Sequence, residues 1–181
     1  KLVKGSFAGH FLCFNFKTKD RLYMTLPLYH STGLVLGWAA SLRSGCANII
    51  KPKFSASEFW GDVKKYKANK FIYVGELCRY LMNLPVSETD KSNSIVQISG
   101  NGLRPDIWDS FQKRFNIKKI VEIYGATEAV GMTVNSFGRS GMIGRKRSDS
   151  TIIHCNKDDG SPILNEQGYC TKISEGETGL Y

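Results

Sequence analysis

Short apolar runs recur along the chain at a spacing of roughly two dozen residues, which is enough for a strand, a helix and two turns. Each run is about as long as a strand, and several are apolar at every position. Strands that are covered on both faces of a parallel sheet have this pattern. The runs are Leu22–Leu26, Ala47–Ile50, Phe71–Val74, Ile95–Ile98 and Ile120–Tyr124.

The segments between these runs carry helix signals. Ser31 is a candidate N-cap, and Gly45 stands just past the expected end of the same helix. Ser55 and Glu58 have the spacing of a capping box, and Pro105 suits a first helical turn. Strands and helices therefore alternate, which predicts an α/β fold with a mostly parallel sheet flanked by helices.

This alternation breaks after the fifth run, where glycines become frequent. We therefore predict a regular βα part over 1–130 and a loop-rich part over 131–181, with candidate strands at Thr151–His154 and Tyr169–Ile173. The stretch Leu22–Leu42 has no Asp, Glu, Lys or Arg and is long enough to span a bilayer. Because proline, histidine and glycine interrupt its middle, a buried strand, turn and helix is the favoured interpretation, and a membrane span is the alternative.

The net charge of +9 is unevenly distributed. The first 70 residues hold 12 Lys and Arg against 3 Asp and Glu, whereas the rest of the chain holds 13 of each. A basic surface suits anionic lipid, nucleic acid or a phosphate-rich ligand, although it is often only a solvated surface. No zinc or RNA-recognition signature accompanies the charge, so we expect no nucleic-acid partner.

The five cysteines are widely spaced, and no CxxC pair occurs among them. Cys13 and Cys78 stand in apolar surroundings, which favours buried free thiols in a reducing compartment and hence an intracellular protein. No signal peptide is visible. Because the chain does not open on Met, we expect that Lys1 is not the natural start.

Small and polar residues follow the predicted strands. In a parallel sheet the carboxyl ends of the strands meet at one edge, where α/β proteins bind their ligands. His30 comes after the first run, Glu76 after the third, Gly100-Asn101-Gly102 after the fourth, and Tyr124–Glu128 closes the fifth. The sequence therefore predicts a cleft at this edge.

The side chains at this edge suit a nucleotide. Glycine-rich turns let a planar ring or a phosphate approach backbone N–H groups closely. The Thr127 hydroxyl and the Glu128 carboxylate are hard oxygen donors, which suit Mg²⁺ held together with substrate phosphates. Tyr124 can stack on an adenine, and His30 can lie near a substrate carboxylate. Each of these residues alone has an ordinary structural explanation, and only their common edge favours a site.

Several motifs in this order resemble a known family. Tyr124-Gly125-Ala126-Thr127-Glu128 resembles the YGxTE motif of the adenylate-forming superfamily, and Leu26–Gly33 resembles its aromatic-His motif. Val74–Leu81 and Gly100–Trp108 narrow the resemblance to the very-long-chain acyl-CoA synthetase, or fatty-acid transport protein, family. The likeness runs over most of residues 5–145. Two further segments that fit are Phe54–Trp60 and Gly141–Arg145.

The resemblance implies part of the large N-terminal domain of an acyl-adenylating enzyme. In the family reaction, ATP and a fatty acid form an acyl-adenylate and pyrophosphate, and coenzyme A then displaces AMP. The implied cofactors are ATP, Mg²⁺ and coenzyme A as a co-substrate. The family's phosphate loop, its TGD-type segment and its small carboxy-terminal domain are not found in residues 1–181. We therefore expect a partial AMP-binding (adenylation) domain with little or no activity of its own.

The resemblance also implies roles for single residues. Thr127 would contact the α-phosphate, Glu128 would ligate Mg²⁺, and His30 would lie near the acyl carboxylate and the mouth of the acyl tunnel. Together these three are the candidate catalytic residues. The residues expected to bind ATP or AMP are Gly100, Asn101, Gly102, Tyr124, Gly125, Ala126 and Thr127.

Two other classes of function compete with a fatty acid:CoA ligase. One is a non-catalytic relative that binds lipid or nucleotide and takes part in fatty-acid uptake, with the basic first 70 residues in peripheral contact with the cytoplasmic face of a membrane. The other is a dinucleotide or nucleotide-sugar enzyme. It would need GxGxxG after the first strand and an acidic residue after the second. The turn after Leu26 holds one glycine and Lys51 follows Ile50, so this class ranks low.

Overall fold

A computed structural model describes residues 2–125, 132–145 and 150–181 and divides the chain into two units, Lys1–Gly144 and Arg145–Tyr181. The strands of the first unit are β1 Arg21–Met24, β2 Ala47–Ile50, β3 Lys70–Val74, β4 Gln97–Asn101, β5 Lys119–Gly125 and β6 Met132–Asn135. Its α-helices are α1 Leu2–Ala8, α2 Ala40–Ser44, α3 Ala56–Tyr66, α4 Gly75–Met82 and α5 Pro105–Arg114. Wider π-helical turns cover Gly9–Phe14 and Thr32–Ala39, and a 3₁₀ turn covers Glu88–Ser92.

The six strands form one sheet in the order β2-β1-β3-β4-β5-β6. The pairs among β1 to β5 are parallel, and β6 runs antiparallel to β5. Only residues 126–131 separate β5 from β6, and a parallel crossover needs a dozen residues or more. The predicted α/β fold with a mostly parallel sheet is therefore confirmed.

Apolar side chains cover both faces of the sheet. On one face Phe71 and Tyr73 pack with the apolar sides of α3, α4 and α5. On the other face Leu22, Ile72 and Val121 pack with residues of the Gly9–Phe14 turns and of α2. Neighbouring residues of β3 therefore point to opposite apolar layers, which explains why the strand runs are apolar throughout.

The uncharged stretch from Leu22 to Leu42 forms β1, a turn, the Thr32–Ala39 helical turns and part of α2, as the favoured interpretation predicted. Within the described ranges, no helix combines the length and the apolar character that crossing a bilayer requires.

The predicted helix caps are partly wrong. Ser31 already has helical backbone angles and makes no capping bond, because the helical path begins earlier, with the Leu34 N–H donating to the His30 carbonyl at 2.9 Å. The capping box at Ser55 is also not formed. The Glu58 carboxylate instead lies 3.8 Å from the Lys51 ammonium. The expectations for Gly45, which is left-handed after α2, and for Pro105 at the start of α5 are confirmed.

Strand β4 begins and ends later than the run Ile95–Ile98 predicted. Its buried polar residues extend it, because they find partners in the segment before β1. The Gln97 side-chain amide and the Ser99 hydroxyl both donate to the Cys13 carbonyl, at 2.6 and 2.7 Å. The Lys70 ammonium donates to the Gln97 side-chain oxygen at 2.6 Å, and burial lowers the pKa of Lys70.

The second unit is built of turns and single antiparallel bridges. Ile153 bridges to Lys172 and to Leu180, and Leu164 bridges to Cys170. The strands predicted at Thr151–His154 and Tyr169–Ile173 are therefore wrong for the described residues. Each segment makes isolated bridges between turns, and the left-handed glycines in those turns redirect the chain before a ladder can extend.

Candidate functional site

The parallel order of β1, β3, β4 and β5 brings their carboxyl ends to one edge of the sheet. Asn101 ends β4 and pairs with Val74 at the end of β3. Tyr124 and Gly125 end β5, and the Tyr124 side chain is 51% exposed. The structure thus brings the ends of three strands together at the edge where the sequence predicted a cleft, with an aromatic ring open to solvent.

His30 lies in the turn after β1, at the start of the Thr32–Ala39 helical turns, and is exposed. Its side-chain Nδ1 accepts a hydrogen bond from the Thr32 backbone N–H at 3.2 Å. The backbone N–H of His30 donates to the Pro27 carbonyl at 3.1 Å. Because Nδ1 is an acceptor, the proton of the neutral imidazole is on Nε2. The local turn therefore favours the tautomer of the neutral imidazole in which Nε2–H is the donor.

The first residue of α4 and the turn after β4 are in direct backbone contact. A Cβ at Gly75 would overlap the carbonyl oxygen of Gly102, so only a glycine at position 75 permits this approach, whereas a Cβ at Gly102 would stand 3.8 Å from the Gly75 nitrogen. Gly102 itself has a left-handed φ of 79°. The glycine turn after β4, which the sequence predicts to bind a nucleotide, therefore packs directly against the backbone that follows β3.

Gly100 is buried, and its missing side chain makes room for a neighbour. Tyr73, Gly100 and Glu122 form one row across β3, β4 and β5. A Cβ at Gly100 would lie 2.8 Å from Cγ of the Tyr73 ring. The ring therefore crosses β4 over the glycine, and its hydroxyl donates to Glu122 Oε2 at 2.5 Å.

Glu122 joins the core of the sheet to the turn after β4. Its other oxygen, Oε1, accepts the backbone N–H of Gly102 in a short hydrogen bond and that of Leu103 at 3.3 Å. Burial raises the pKa of Glu122, while its hydrogen bonds to Tyr73 and to the two amides act in the opposite direction. Burial, followed by the nearby Glu122 charge, raises the pKa of Tyr73 well above its ordinary value.

Sequence reasoning did not single out Glu122 or Tyr73. The available signal was a carboxylate between Val121 and Ile123 in a run that is otherwise apolar. A covered strand admits such a residue only where hydrogen-bond donors meet it. The partners of Glu122 come from segments about 20 and 50 residues away along the chain, so no local pattern reveals them.

A groove of about 280 Å³ opens beside this network, within the first unit. It lies between the turn after β4 and the loop before Gly144, and its lining combines apolar side chains with the Glu122 carboxylate. The residues that line it are Gly102, Leu103, Arg104, Pro105, Trp108, Glu122, Gly141, Met142 and Ile143. Its apolar lining with a few polar groups resembles that of a small-molecule site, while its volume lies just below the usual range of about 300–1,000 Å³.

A larger cavity of about 690 Å³ lies between α3 and the 3₁₀ turn. Trp60, Lys64 and Asp90 are among its lining residues, and none of the predicted site residues in the described ranges lines it. The larger volume of this cavity is therefore no evidence that it belongs to the site at the carboxyl ends of the strands.

Ala126, Thr127 and Glu128 lie outside the described residues. Their expected contacts with nucleotide and Mg²⁺ therefore stay predictions. Across residues 2–125, 132–145 and 150–181, no three His, Cys, Asp or Glu side chains gather in a way that could hold a metal ion.

The family model described as AMP-binding enzyme matches residues 3–169 of this chain. Long-chain fatty acid transport protein 3 of Mus musculus is 42% identical over 168 residues, which are 90% of this chain and 25% of that protein. The medium/long-chain fatty acid–CoA ligase FadD6 of Mycobacterium tuberculosis is 37% identical over 164 residues, which are 91% of this chain and 28% of that protein. The chain thus spans about a quarter of the length of the curated relatives it matches.

The fold is also similar to solved structures. ATP-bound MatB from Rhodopseudomonas palustris matches with a TM-score of 0.76 at 19% identity, covering 97% of this chain and 33% of that one. The N-terminal domain of FACL13 from Mycobacterium tuberculosis matches with a TM-score of 0.70 at 18% identity, covering 93% and 41%. At these identities the likeness shows the fold alone.

The relatives confirm the resemblance that the motifs predicted, since fatty-acid transport proteins and a fatty acid–CoA ligase align with about nine tenths of the chain. The family model covers nearly all of the first unit and most of the second. This chain therefore belongs to the AMP-binding enzyme family.

Proposed function

We propose that this chain is part of a fatty acid:CoA ligase that activates long or very-long-chain fatty acids. An oxygen of the fatty-acid carboxylate attacks the α-phosphorus of ATP, pyrophosphate leaves, and an acyl-adenylate forms. The coenzyme A thiol then attacks the acyl carbon, AMP leaves, and acyl-CoA forms. The observation that carries the proposal is the gathering of Asn101, Gly102 and the half-exposed Tyr124 at one sheet edge in a member of the AMP-binding family.

The nucleotide would lie against the turn after β4. In this proposal Gly100, Asn101 and Gly102 form the adenine pocket, and Tyr124 packs on the adenine ring, with Gly125 and Ala126 beside it. The apolar groove next to Gly102 supports a planar ring at this place. A half-exposed tyrosine that ends a strand supports stacking, because an aromatic face is then accessible.

Charge would develop where the α-phosphorus is attacked. Thr127 is proposed to contact the α-phosphate and Glu128 to ligate Mg²⁺, which when bound would stabilise the phosphate charge as a Lewis acid. His30 is proposed to orient the acyl carboxylate. The tautomer that the Thr32 N–H favours supports this role, because its Nε2–H can donate to a carboxylate oxygen.

Residues 1–181 alone would form a partial adenylation domain without activity, consistent with the quarter of the relatives' length that they span. We further propose that the protein acts inside the cell at the cytoplasmic face of a membrane, in peripheral contact through its basic first 70 residues. The exposed apolar side chains of Leu2, Val3 and Phe7 beside that charge support such contact.

The second candidate function is a non-catalytic protein of fatty-acid uptake that binds lipid or nucleotide. The observation that favours it is the name of several relatives, which are long-chain fatty acid transport proteins. The two candidates differ in one measurable property, because only the ligase couples a fatty acid to release of pyrophosphate from ATP.

The test measures pyrophosphate release by the complete gene product with ATP and fatty acids of increasing length. Wild type is compared with Glu128→Ala and with Glu88→Ala, which removes an exposed glutamate far along the chain from the motif. We expect release that depends on fatty acid and on Mg²⁺, lowered about 100-fold or more in Glu128→Ala and unchanged in Glu88→Ala. A folded wild type that releases no pyrophosphate with any acid would overturn the ligase and favour the uptake protein.

A further inference from the structure

The cavity of about 690 Å³ lies at the opposite end of the strands from the predicted nucleotide site. Two residues of its lining, Lys67 and Ser94, come shortly before β3 and β4 begin. The predicted nucleotide turn instead follows the other end of β4. The volume of the cavity is within the range of about 300–1,000 Å³ that small-molecule sites occupy, and the proposed ligase reaction assigns it no occupant.

Both walls of the cavity are held by contacts within the first unit. One wall is α3, whose buried apolar residues pack on the sheet. The other wall is the segment 84–94. The Arg114 guanidinium holds this segment through the Asp90 carboxylate at 2.7 Å, and the Asn93 side-chain amide donates to the Phe115 carbonyl at 2.8 Å. The cavity is therefore formed before a ligand binds.

Part of the lining is apolar. Trp60 and Val63 contribute to it from α3, and Leu84 and Pro85 contribute from the opposite wall. Trp60 and Leu84 are partly buried and pack against the main apolar layer of the sheet. Such a surface favours a hydrocarbon group, because covering apolar area removes it from water.

The lining also carries an excess of positive charge. Lys64 lies in the last turn of α3, Lys67 directly follows the helix, and both line the cavity. Among the described residues, no carboxylate forms an ion pair with either ammonium. The Asp90 carboxylate also lines the cavity, but Arg114 neutralises it, and the Ser87 backbone N–H donates to it at 3.2 Å. The cavity therefore presents two cations to an anionic group.

Gly61 contributes to the width of the cavity. It stands in the middle of α3 and belongs to the lining. A Cβ at this position would meet no atom within 4 Å, so packing does not require a glycine here. A glycine inside a helix is less favourable than an alanine. The feature that it preserves is the open space, which a longer side chain would fill.

We propose that this cavity binds a single-chain amphiphilic anion, with its hydrocarbon chain against Trp60 and Leu84 and its charged group between Lys64 and Lys67. A monomeric carboxylate with a chain of medium length has this chemistry. The inference goes beyond the proposed ligase, since the occupant is bound and not converted. β3 has five residues, so its amino end lies roughly 15 Å from the edge at which the reaction is proposed.

Lysine footprinting of the complete gene product measures this site separately from the proposed reaction site. Acetic anhydride acetylates exposed amines, and mass spectrometry of peptides gives the rate at each lysine with and without monomeric decanoate. We expect decanoate to slow the acetylation of Lys64 and Lys67. The rates at Lys65 and Lys113 should stay unchanged, because both residues are exposed and neither lines the cavity.

Three variants test the charge and the space. Lys64→Ala removes one cation, and its effect is measured at Lys67. Lys65→Ala is the matched control, since it removes the same charge from the next residue, whose ammonium lies 5.1 Å from the Tyr66 ring centroid. We expect the Kd of decanoate at this site to rise about 10-fold or more in Lys64→Ala and to stay unchanged in Lys65→Ala. Gly61→Leu fills the cavity and should abolish the protection.

Two further probes separate the parts of the ligand. Decyltrimethylammonium has the chain with the opposite charge, inorganic phosphate has the charge without the chain, and neither should protect Lys64. Equal protection of Lys65 and Lys113 by decanoate, protection that persists in Gly61→Leu, or equal protection by the cationic probe overturns the site. Unchanged rates at Lys64 and Lys67 overturn it too, whether or not the protein releases pyrophosphate, so the site and the ligase are tested independently.

Discussion

At the scale of single residues, the missing side chain of Gly75 sets how closely the start of α4 approaches the turn after β4. An alanine Cβ would overlap the Gly102 carbonyl oxygen, which belongs to the backbone and cannot rotate away. We expect Gly75→Ala to separate the start of α4 from the turn after β4 and to lower the free energy of unfolding by about 1–3 kcal/mol. The apparent Tm of the complete gene product, measured by calorimetry, should fall.

Gly61→Ala is the control for this substitution. Gly61 lies in the exposed middle of α3 with open space around the added Cβ. Alanine favours a helix over glycine by about 0.5–1 kcal/mol, so the apparent Tm should stay level or rise. If both variants had the same apparent Tm as the wild type, the close approach of Gly75 to the Gly102 carbonyl would be contradicted.

The same residues show how far sequence reasoning reaches at this scale. The sequence predicted glycine-rich turns at the strand ends, and it also predicted that a nucleotide binds beside them. That Gly75 meets Gly102, and that Gly100 makes room for Tyr73, depends on the pairing of β3 with β4. Such contacts join distant segments and have no local pattern.

At the scale of secondary-structure elements, Arg114 at the end of α5 holds the segment that follows α4. Its guanidinium donates to Asp90 Oδ2 at 2.7 Å and to the carbonyls of Met82, Leu84 and Pro85 at 2.8–2.9 Å. Both charged side chains are largely buried, so removing the cation leaves the Asp90 carboxylate without its ionic partner, although the Ser87 backbone N–H still donates to it. We expect Arg114→Ala to cost about 3 kcal/mol or more and to accelerate amide hydrogen exchange over residues 82–94.

Arg104→Ala tests whether this effect is specific. Arg104 pairs with Asp106 at 2.8 Å near the other end of α5, but both side chains are more than half exposed. Exposed pairs contribute about 0–1 kcal/mol, so exchange over residues 82–94 should match wild type. Protection that is unchanged in Arg114→Ala as well would contradict the role given to the guanidinium.

The sequence predicted the strands correctly where apolar residues dominate. It predicted strand and helix ends wrongly where buried polar contacts determine them. The runs at β1, β3 and β5 predicted their strands within a few residues, because a covered strand must be apolar on both faces. The run at β2 also predicted its strand, although this edge strand is only partly covered. β4 was misplaced since Gln97 and Ser99 are buried with the Cys13 carbonyl as their partner, which a hydrophobic pattern does not register. Ser31 and Ser55 have the right residue type for a cap, yet neither side chain forms a capping bond.

At the scale of the whole molecule, the sequence separated a regular βα part from a loop-rich part because only the first has repeated apolar runs. The two units of the structure, whose boundary after Gly144 lies later than the predicted one and leaves β6 in the first unit, differ strongly in burial. The large side chains that are almost fully buried belong to the first unit, whereas every residue from 150 to 181 is exposed or intermediate. Cysteines occur in both units, so the reactivity of each thiol measures how deeply that thiol is buried.

The thiols should therefore divide into two reactivity classes. Cys13, Cys46 and Cys78 are buried, and burial raises the pKa of each, to about 12 for Cys13. A raised pKa keeps the thiol protonated, and the thiolate is the form that reacts, so these three should resist iodoacetamide at pH 8. Cys170 is exposed and Cys155 is intermediate, so both should be modified first.

Mass spectrometry of peptides after timed alkylation of the folded complete gene product measures each thiol separately. Labelling of Cys170 should precede that of Cys78 by orders of magnitude in time, because modification of Cys78 requires the packing of α4 against the sheet to open. Urea at an unfolding concentration should remove the difference, and Cys170→Ser should abolish the fast modification at that position without exposing the other thiols. Equal native rates at Cys78 and Cys170 would contradict the buried core between the sheet and its helices, since a thiol inside a closed apolar layer cannot be reached by the reagent.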